Sequence, residues 1–351
     1  MIKKYVYGDP FFTDAVVKDI EKSEDKLPYF DVKDGVFTYA LSEDDIVYGL
    51  GEQIRGINKR GWQYVSWNYD NPNHHEDTRS LYGSHNFIII CGKQTFGAFF
   101  DYAGRMEFDI GYTKRSLMQI KPEKNDINVY IITGENEKDI VKQFRQLIGR
   151  SYIPPFWAFG YGQSRWGYRN EQDIRTVAEK YKEAGVPLDS IYLDIDYMER
   201  YKDFTVDKER FPDLKKLSDD MKLQGIHLVP IIDAGVKIED GYDVYEEGVK
   251  NNCFCKNAEG KDFVGAVWPG RVHFPDFLQP EARDWFGRKY AALTDLGIEG
   301  FWNDMNEPAI FYTEDRLADT CNEIKKLTSG NMGINEYFAF TGMVAGLNGN
   351  K

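Results

Sequence analysis

The sequence predicts an all-β domain followed by an α/β domain: an N-terminal antiparallel β-sandwich, residues 1–150, and the first part of a (β/α)8 TIM barrel, residues 151–351. Up to residue 150, short runs of alternating polarity are separated by turn-forming residues, a pattern typical of antiparallel strands. After Pro155, strand-like and helix-like segments alternate, which is typical of parallel βαβ units. Pro154 and Pro155 separate the two patterns, so we place the domain boundary there.

The N-terminal domain is predicted to contain short strands and one helix. Alternating polarity turns every second side chain toward a core shared by two sheets. The predicted strands lie at residues 36–41, 46–48, 63–67, 86–91, 96–101 and 127–133. A helix at residues 135–149 follows the last strand and ends before the two prolines.

The C-terminal domain is predicted to contain about four βα units of the barrel, because a complete barrel takes about 250 residues. The predicted strands lie at residues 156–162, 190–194, 227–233 and 298–303. The predicted helices lie at residues 170–185, 212–225, 280–297 and 315–328. Residues 234–279 are too many for a simple loop, so we expect an inserted lobe there.

Three of the predicted parallel strands end in an aspartate: Asp194, Asp233 and Asp304. Because the carboxyl ends of parallel strands meet at one end of a barrel, these acids are expected to converge on one site. Aspartate also caps helices, and this alternative stays open for Asp233. It explains Asp304 poorly, because a loop-like segment with Pro308 follows it. The pattern therefore predicts that Asp304 is a catalytic carboxylate.

Charge and hydropathy exclude several classes of function. The 351 residues carry a formal net charge of −13, so repulsion disfavours binding to nucleic acid or to an anionic membrane. No apolar run has the length needed to span a bilayer. The N-terminal segment is too polar and too short for the apolar part of a signal peptide, so we expect a cytoplasmic location.

We expect no metal ion and no cofactor. The cysteines do not have the spacing of a zinc site, and free thiols in a reducing compartment are the simpler interpretation. Residues 74–77 contain two histidines and two acids, but their contiguity does not match a helical ligand pair. Aromatic residues form 15% of the chain, which fills a large core and also suits sugar rings, whose C–H faces lie against aromatic planes.

Residues 300–311 resemble the nucleophile signature of glycoside hydrolase family 31, which comprises the retaining α-glucosidases and their relatives. Further segments resemble motifs of the same family in the same order: residues 162–168, 194–198, 233–235, 268–270 and 274–276. The resemblance extends from about residue 35 to about residue 312. It implies a (β/α)8 barrel behind an N-terminal β-sandwich, in agreement with the pattern of segments.

The resemblance also implies roles for individual residues. Asp304 matches the nucleophile that attacks the anomeric carbon and forms a covalent glycosyl-enzyme. Asp194 matches a residue that binds sugar hydroxyls, and Asp70 lies in a loop, residues 68–72, that resembles one reaching the substrate. The residues that match the walls of the sugar pocket are Ile195, Ile231, Trp268, Trp302 and Met305.

Two further residues, Asp233 and Trp166, complete the expected site. Asp233 belongs to the third-strand motif and is expected to bind substrate. Trp166 is expected to shape the subsites beyond the first sugar, together with the inserted lobe. Glu307 is a rival nucleophile, but the family gives this position a structural role. Carboxylates suit this chemistry because the transition state is oxocarbenium-like, and a carboxylate beside the anomeric carbon stabilises its positive charge.

A retaining mechanism needs a second carboxyl group, roughly 5 to 5.5 Å from the first, which acts as acid and then as base. In the family this residue lies well downstream of the nucleophile, and no segment after residue 313 resembles its motif. We therefore expect the chain to be the N-terminal half of an enzyme that is inactive alone. Its open strand edges would be covered by the other half or by a second copy in a homo-oligomer.

The sequence thus predicts a retaining α-glucosidase that acts on α-glucoside oligosaccharides of the maltose or isomaltose type. Residues 302–307 favour glucoside over xyloside as the substrate. An α-xylosidase or a transglucosidase of the same family is the alternative within the enzyme class. A non-catalytic carbohydrate-binding fragment is the alternative from another class, because the acid/base residue was not found.

Overall fold

The computed structural model describes residues 1–68 and 70–316, and the chain divides into two compact units. Unit 1 comprises Met1–Tyr152, and unit 2 begins at Ile153. The helix predicted at residues 315–328 lies, from residue 317 onward, outside the described residues.

Unit 1 consists of short strands followed by one helix. Its strands are β1 (Ile2–Tyr7), β2 (Asp31–Lys33), β3 (Val36–Ala40), β4 (Ile46–Gly49), β5 (Trp62–Ser66), β6 (Phe87–Cys91), β7 (Phe96–Asp101), β8 (Met106–Ile110), β9 (Leu117–Pro122) and β10 (Ile127–Thr133). Helix α1 (Glu137–Ile148) begins where the Asn136 side chain accepts a hydrogen bond from the Asp139 amide. Such a side-chain cap satisfies one of the free amides of the first turn.

The strands of unit 1 form two antiparallel sheets, in the orders β1-β10-β7-β6-β4 and β2-β3-β9-β8-β5. Side chains from both sheets meet in one apolar core, which includes Phe37 and Phe108 on one side and Ile88 and Phe100 on the other. The predicted β-sandwich is therefore confirmed. Strand β7 is buried along its whole length, because α1 covers the outer face of its sheet.

Unit 2 alternates strands with helices. Its elements are β11 (Gly162–Gln163), α2 (Glu171–Glu183), β12 (Ser190–Leu193), α3 (Leu214–Lys222), β13 (His227–Asp233), β14 (Val236–Lys237), α4 (Asp243–Lys250), β15 (Gly265–Val267), β16 (Gly270–His273), α5 (Pro280–Lys289), α6 (Ala291–Thr294), β17 (Trp302–Asp304) and β18 (Tyr312–Thr313). Asn170 and Asp213 cap α2 and α3 by accepting hydrogen bonds from amides of the first turn.

A parallel sheet in the order β11-β12-β13-β17 forms the centre of unit 2. Helices α2 and α3 each connect one strand to its parallel neighbour, as a βαβ unit requires. Their apolar faces pack in the same core as the buried strands, with Ile174 and Leu217 among the fully buried side chains. This arrangement confirms the prediction of a β-sandwich followed by part of a TIM-barrel-like sheet.

Three predicted segments differ from the structure. Residues 156–162 were predicted as a strand, but Phe156–Phe159 form a 3-10 turn that starts after Pro155, and only Gly162–Gln163 pair with β12. The strand predicted at residues 298–303 is shorter, because Ile298 still closes the preceding helical turn by donating to the Leu293 carbonyl. The helix predicted at residues 280–297 is divided into α5 and α6.

Residues 234–279 form a lobe with its own small sheet. Strands β14, β16 and β15 pair antiparallel, and β18, which follows the loop after β17, adds to the edge of β15. Val267, Val272 and Phe274 form a small apolar cluster in this lobe. The loop that follows the end of β17 is thereby anchored to the lobe.

Candidate active site

The candidate site lies at the carboxyl ends of β12, β13 and β17. Asp233 and Asp304 are the last residues of their strands and are direct partners in the parallel register. Asp194 directly follows β12, whose last residue, Leu193, pairs with Pro230 of β13. Neighbouring strands are about 4.8 Å apart, and in-register side chains point to the same face. The fold therefore brings the three predicted aspartates together.

Electrostatics show how closely these carboxyl groups interact. Burial raises the pKa of Asp233 to about 8, and the charges of Asp304 and Asp194 add to this shift. Burial also raises the pKa of Asp194, and repulsion from Asp196 and Asp304 adds to it, whereas a hydrogen bond from the Ile195 amide opposes it. Asp233 therefore holds a proton at neutral pH, because burial disfavours its charged form and the neighbouring carboxylates repel it.

The alternative that these aspartates cap helices is correct for Asp194 only in part. The Asp194 carboxylate accepts a hydrogen bond of 2.7 Å from the Ile195 amide at the start of the 3-10 turn Ile195–Tyr197. One of its oxygens is thus used locally. Asp233 caps no helix, and its Oδ1 atom is buried without a hydrogen-bond partner among the described residues. Local capping therefore does not explain why an acid ends β13.

Aromatic side chains from the loops after β11, β15 and β17 form a row. The rings of Trp166 and Trp268 are 5.9 Å apart, and the ring of Phe311 meets Trp268 edge-on at 5.1 Å. Trp166 is 62% exposed, whereas Trp268 is half-buried against the core. Trp302 of β17 lies 6.1 Å from the ring of Tyr192. Exposed aromatic faces of this kind suit apolar faces of a ligand.

Phe311 was not among the predicted site residues. Its position inside the motif at residues 300–311 could have indicated it, but its contact with Trp268 arises only from the folded loop. The Phe311 amide donates to the Ala266 carbonyl at 3.0 Å, which fixes the loop on β15. Met305 has a φ of 59° directly after Asp304 and packs against the apolar cluster of the lobe. A left-handed residue of this kind is uncommon and turns the chain sharply away from the strand.

The remaining predicted residues have different environments. Ile195 and Ile231 are buried in the core of unit 2, and their contact with a sugar stays a prediction. Asp70 lies in unit 1, in an exposed irregular segment after β5, and its role also stays a prediction. The rival Glu307 is half-buried, and its Oε2 atom has no hydrogen-bond partner in the described part of the chain.

Residues 1–68 and 70–316 contain no group of three or more His, Cys, Asp or Glu side chains arranged to hold a metal ion. In the same part of the chain, no helix has the length and apolar character needed to cross a membrane.

Family models match both units. The model described as "Glycosyl hydrolases family 31 TIM-barrel domain" matches residues 151–343, which is more than half of the chain. The model described as "Glycosyl hydrolase 31 N-terminal galactose mutarotase-like domain" matches residues 15–109.

Individual proteins are similar over most of this chain. Alpha-glucosidase 2 of Bacillus thermoamyloliquefaciens is 44% identical over 273 residues, which cover 77% of this chain and 35% of that protein. The structure of a Flavobacterium johnsoniae GH31 dextranase complexed with glucose has a TM-score of 0.73 and 28% identity, and the match covers 83% of this chain and 36% of that one. A mutant of the same dextranase complexed with isomaltotriose has a TM-score of 0.73 and 27% identity, with the same coverage.

The chain thus spans about a third of the length of these relatives. The match includes both units and the strand ends that carry Asp194, Asp233 and Asp304. The chain belongs to glycosyl hydrolase family 31.

Proposed function

We propose that Asp304 is the nucleophile of a retaining α-glucosidase that releases terminal non-reducing α-linked glucose from oligosaccharides. The pairing of Asp233 with Asp304 at the ends of β13 and β17, beside Asp194, carries the proposal. Interacting carboxyl groups in a recess with perturbed pKa values are typical of catalytic sites. Within the three, Asp304 is the acid that ends the edge strand of the described sheet and is flanked by Trp302 and Met305.

The reaction has two steps. First, an Oδ atom of Asp304 bonds to the anomeric carbon while the bond from that carbon to the leaving oxygen breaks, and an acid protonates the leaving oxygen. Water then replaces Asp304 at the anomeric carbon, which releases glucose with retained configuration and restores the carboxylate. Asp194 would accept hydrogen bonds from sugar hydroxyls.

The neutral state of Asp233 supports the assignment of charge. Burial raises the pKa of Asp233 to about 8, and the charges of Asp304 and Asp194 add to this shift. A protonated Asp233 adds no negative charge next to Asp304 and Asp194. An anionic Asp304 is what nucleophilic attack at the anomeric carbon requires.

The relatives support glucose as the sugar. One is named an alpha-glucosidase, and the dextranase structures contain glucose and isomaltotriose. We therefore propose maltose- or isomaltose-type oligosaccharides as substrates. The aromatic row of Trp166, Trp268 and Phe311 would then bind the sugars beyond the scissile bond through their apolar faces.

The decisive experiment is incubation of the chain with 5-fluoro-α-glucosyl fluoride. Fluoride leaves without a proton from an acid, so the reagent tests the nucleophile alone. We expect a mass increase of one fluoroglucosyl group, located on the peptide that contains Asp304, with the same adduct in Glu307→Gln. Faster labelling by the xylosyl analogue would favour an α-xylosidase. Reversible sugar binding without an adduct would overturn the proposal in favour of a carbohydrate-binding module.

A further inference from the structure

A buried acid lies beneath the candidate site and has no role in the proposed mechanism. Asp203 is 1% exposed, and its Oδ1 atom accepts a hydrogen bond of 3.2 Å from the backbone amide of Asp233. Its Oδ2 atom has no partner in the described part of the chain, where no lysine or arginine forms an ion pair with it. Burial, together with repulsion from Asp233, raises the pKa of Asp203 well above its ordinary value. Asp203 is therefore a buried acid whose charged form is disfavoured, and it accepts a hydrogen bond from the end of β13.

Three tyrosines surround Asp203 and connect it to the strand ends. The Tyr197 hydroxyl donates to the Ile231 carbonyl of β13 at 2.8 Å, and the Tyr242 hydroxyl donates to the Asp203 carbonyl at 2.8 Å. The Tyr290 hydroxyl donates to Asn303 Oδ1 of β17 at 2.6 Å. Proximity to Asp203 contributes to raising the pKa of all three tyrosines, after the larger effect of burial. We call Asp203 and these three tyrosines the acid–tyrosine cluster.

The segment that carries Asp203 has an unusual backbone. Arg200, Tyr201 and Phe204 have φ values of 52°, 61° and 61°, in the left-handed region that non-glycine residues rarely adopt. Such conformations persist only where surrounding contacts impose them. Arg200 and Lys202 bind Glu239 of the lobe, with N–O distances of 2.9 and 3.2 Å. The contacts with Glu239 thus fix the segment, and its residue Asp203 contacts β13.

We propose that the acid–tyrosine cluster is a positioning device that holds the ends of β13 and β17, and so sets the separation of Asp233 and Asp304. Each member contacts a residue within two positions of one of these acids or supports the backbone of Asp203. Tyr197 and Asp203 act on β13, Tyr290 acts on β17, and Tyr242 fixes Asp203 itself. This inference rests on the proposed function, because it assigns Asp304 the catalytic role.

A purely apolar core would hold the strands less specifically. Burying a polar group lowers the stability of the fold unless its hydrogen bonds are made. Asp203 is therefore less favourable for folding than an apolar residue at this position would be. A carboxylic acid gives the Asp233 amide an acceptor that leucine or valine could not provide. Because this amide lies at the last residue of β13, loss of the acceptor would free the strand end at the position of the acid.

The first test measures hydrogen exchange of the Asp233 amide in the intact chain, with site-resolved mass spectrometry. Asp203→Asn keeps the acceptor, whereas Asp203→Ala removes it and leaves a buried donor unpaired. We expect exchange at least about tenfold faster in Asp203→Ala and within about threefold of the parent in Asp203→Asn. This readout does not depend on the identity of the nucleophile.

The second test measures labelling by 5-fluoro-α-glucosyl fluoride in the same variants. We expect the covalent step to slow about tenfold or more in Asp203→Ala, with little change in reagent affinity and with recovery in Asp203→Asn. Tyr290→Phe should slow the same step by about threefold, because it removes only the bond to Asn303. Tyr64→Phe is the matched control, because Tyr64 is a buried tyrosine in the sandwich core of unit 1 and belongs to neither β13 nor β17.

The outcomes separate this inference from the proposed function. Absence of any adduct in the parent chain would overturn the nucleophile assignment, and the exchange data would still test the contact between Asp203 and Asp233. A folded Asp203→Ala variant with unchanged exchange and unchanged labelling would overturn the positioning role. If Asp203→Ala does not fold, Asp203→Asn and Tyr290→Phe decide. A labelling rate that is about tenfold slower in Asp203→Asn, or unchanged in Tyr290→Phe, would contradict the proposal.

Discussion

The two units bury acids in different ways. In unit 1, the buried Asp45 accepts hydrogen bonds from the Ser42 amide and the Tyr39 hydroxyl, and the buried Asp101 accepts one from Thr13. In unit 2, Asp203 and Asp233 are buried next to each other, and repulsion from Asp233 adds to the effect of burial in raising the pKa of Asp203. An acid with local donors stabilises a loop, whereas a buried acid close to other acids has its charged form disfavoured at a cost in stability.

This difference indicates where function lies. Acids that are buried next to each other are kept in a protein only if another requirement outweighs their cost, and perturbed pKa values therefore cluster at functional sites. The core of the sandwich is dominated by apolar side chains, with Phe37, Phe100 and Phe108 fully or almost fully buried. The strand ends of unit 2 combine facing acids with aromatic rings. We therefore expect substitutions in the core of unit 1 to change the free energy of unfolding, and substitutions at the strand ends of unit 2 to change the rate of the reaction.

The largest expected effect is on chemistry in unit 2. Replacing Asp304 with alanine removes the proposed nucleophile, and we expect the rate of adduct formation to fall by at least about 10³-fold. Because the charge of Asp304 disfavours ionisation of Asp233 and Asp194, its removal should not lower the free energy of unfolding. Mass spectrometry and thermal unfolding measure the two effects. An adduct that persists in this variant at the parent's rate would assign the nucleophile to another residue.

The next effect is on stability in unit 1. Phe100 is fully buried and packs against the rings of Phe30, Phe37 and Phe108. We expect Phe100→Ala to lower the free energy of unfolding by about 3–5 kcal/mol, and Phe100→Leu by much less, because the alanine leaves a cavity. Denaturant titration measures the change. Equal effects of the two substitutions would contradict tight packing of the sandwich core.

A smaller effect concerns the pH dependence that Asp233 imposes. Its folded-state pKa of about 8 lies above its ordinary value of 3.8, so between these values the unfolded chain is ionised and the folded chain is not. Stability should therefore fall as pH rises from about 4 to about 8, and Asp233→Asn should remove this contribution. At pH 8 we expect the free energy of unfolding of the variant to exceed that of the parent by a few kcal/mol, because each unit of pKa shift corresponds to about 1.4 kcal/mol.

Asp109 of unit 1 provides a control of opposite sign. Burial would raise its pKa, but hydrogen bonds from Thr113 and Gln63 outweigh burial and lower it. Its contribution is present above its ordinary pKa and is lost as pH falls, so Asp109→Asn should destabilise the chain at neutral pH and less so in acid. A parent chain whose stability does not change between pH 5 and pH 8, or an Asp233→Asn variant with the parent's slope, would contradict the burial of a neutral Asp233.

The smallest expected effect concerns Trp166, the exposed member of the aromatic row. Its ring lies 5.9 Å from Trp268, and an aromatic contact contributes about 0.5–1.5 kcal/mol. We expect Trp166→Ala to weaken binding of an isomaltotriose-length ligand by about two- to tenfold and to leave labelling by the monosaccharide reagent unchanged. Titration calorimetry and labelling rates measure the two. Equal losses for both ligands would place Trp166 at the first sugar.

Much of the fold was predictable because local patterns carried it. Strand β13 has the predicted bounds, and α2 and α3 lie within the predicted segments, because apolar periodicity and capping residues are local signals. The strand predicted at residues 156–162 was wrong, because a 3-10 turn and a strand share the same apolar composition. Whether such a segment pairs depends on its neighbour, and β11 pairs over only two residues.

The site was predictable in part for a related reason. Asp194, Asp233 and Asp304 were predictable because each ends an apolar run, and parallel strands align such ends. Phe311, Asp203 and Tyr290 were not predicted. Asp203 lies in a segment without periodicity, and nothing in its local sequence shows that it is buried or that its carboxyl group meets the amide of Asp233.

The sequence by itself determined the order of the elements, the family and the position of Asp304 at a strand end, because these depend on residues close together along the chain. Only the tertiary structure decided which acids face one another, that Asp233 is neutral at pH 7, and that Asp203 supports it from below. Such properties depend on burial and on groups from distant segments, since the pKa of a carboxyl group is set by the charges, donors and solvent around it.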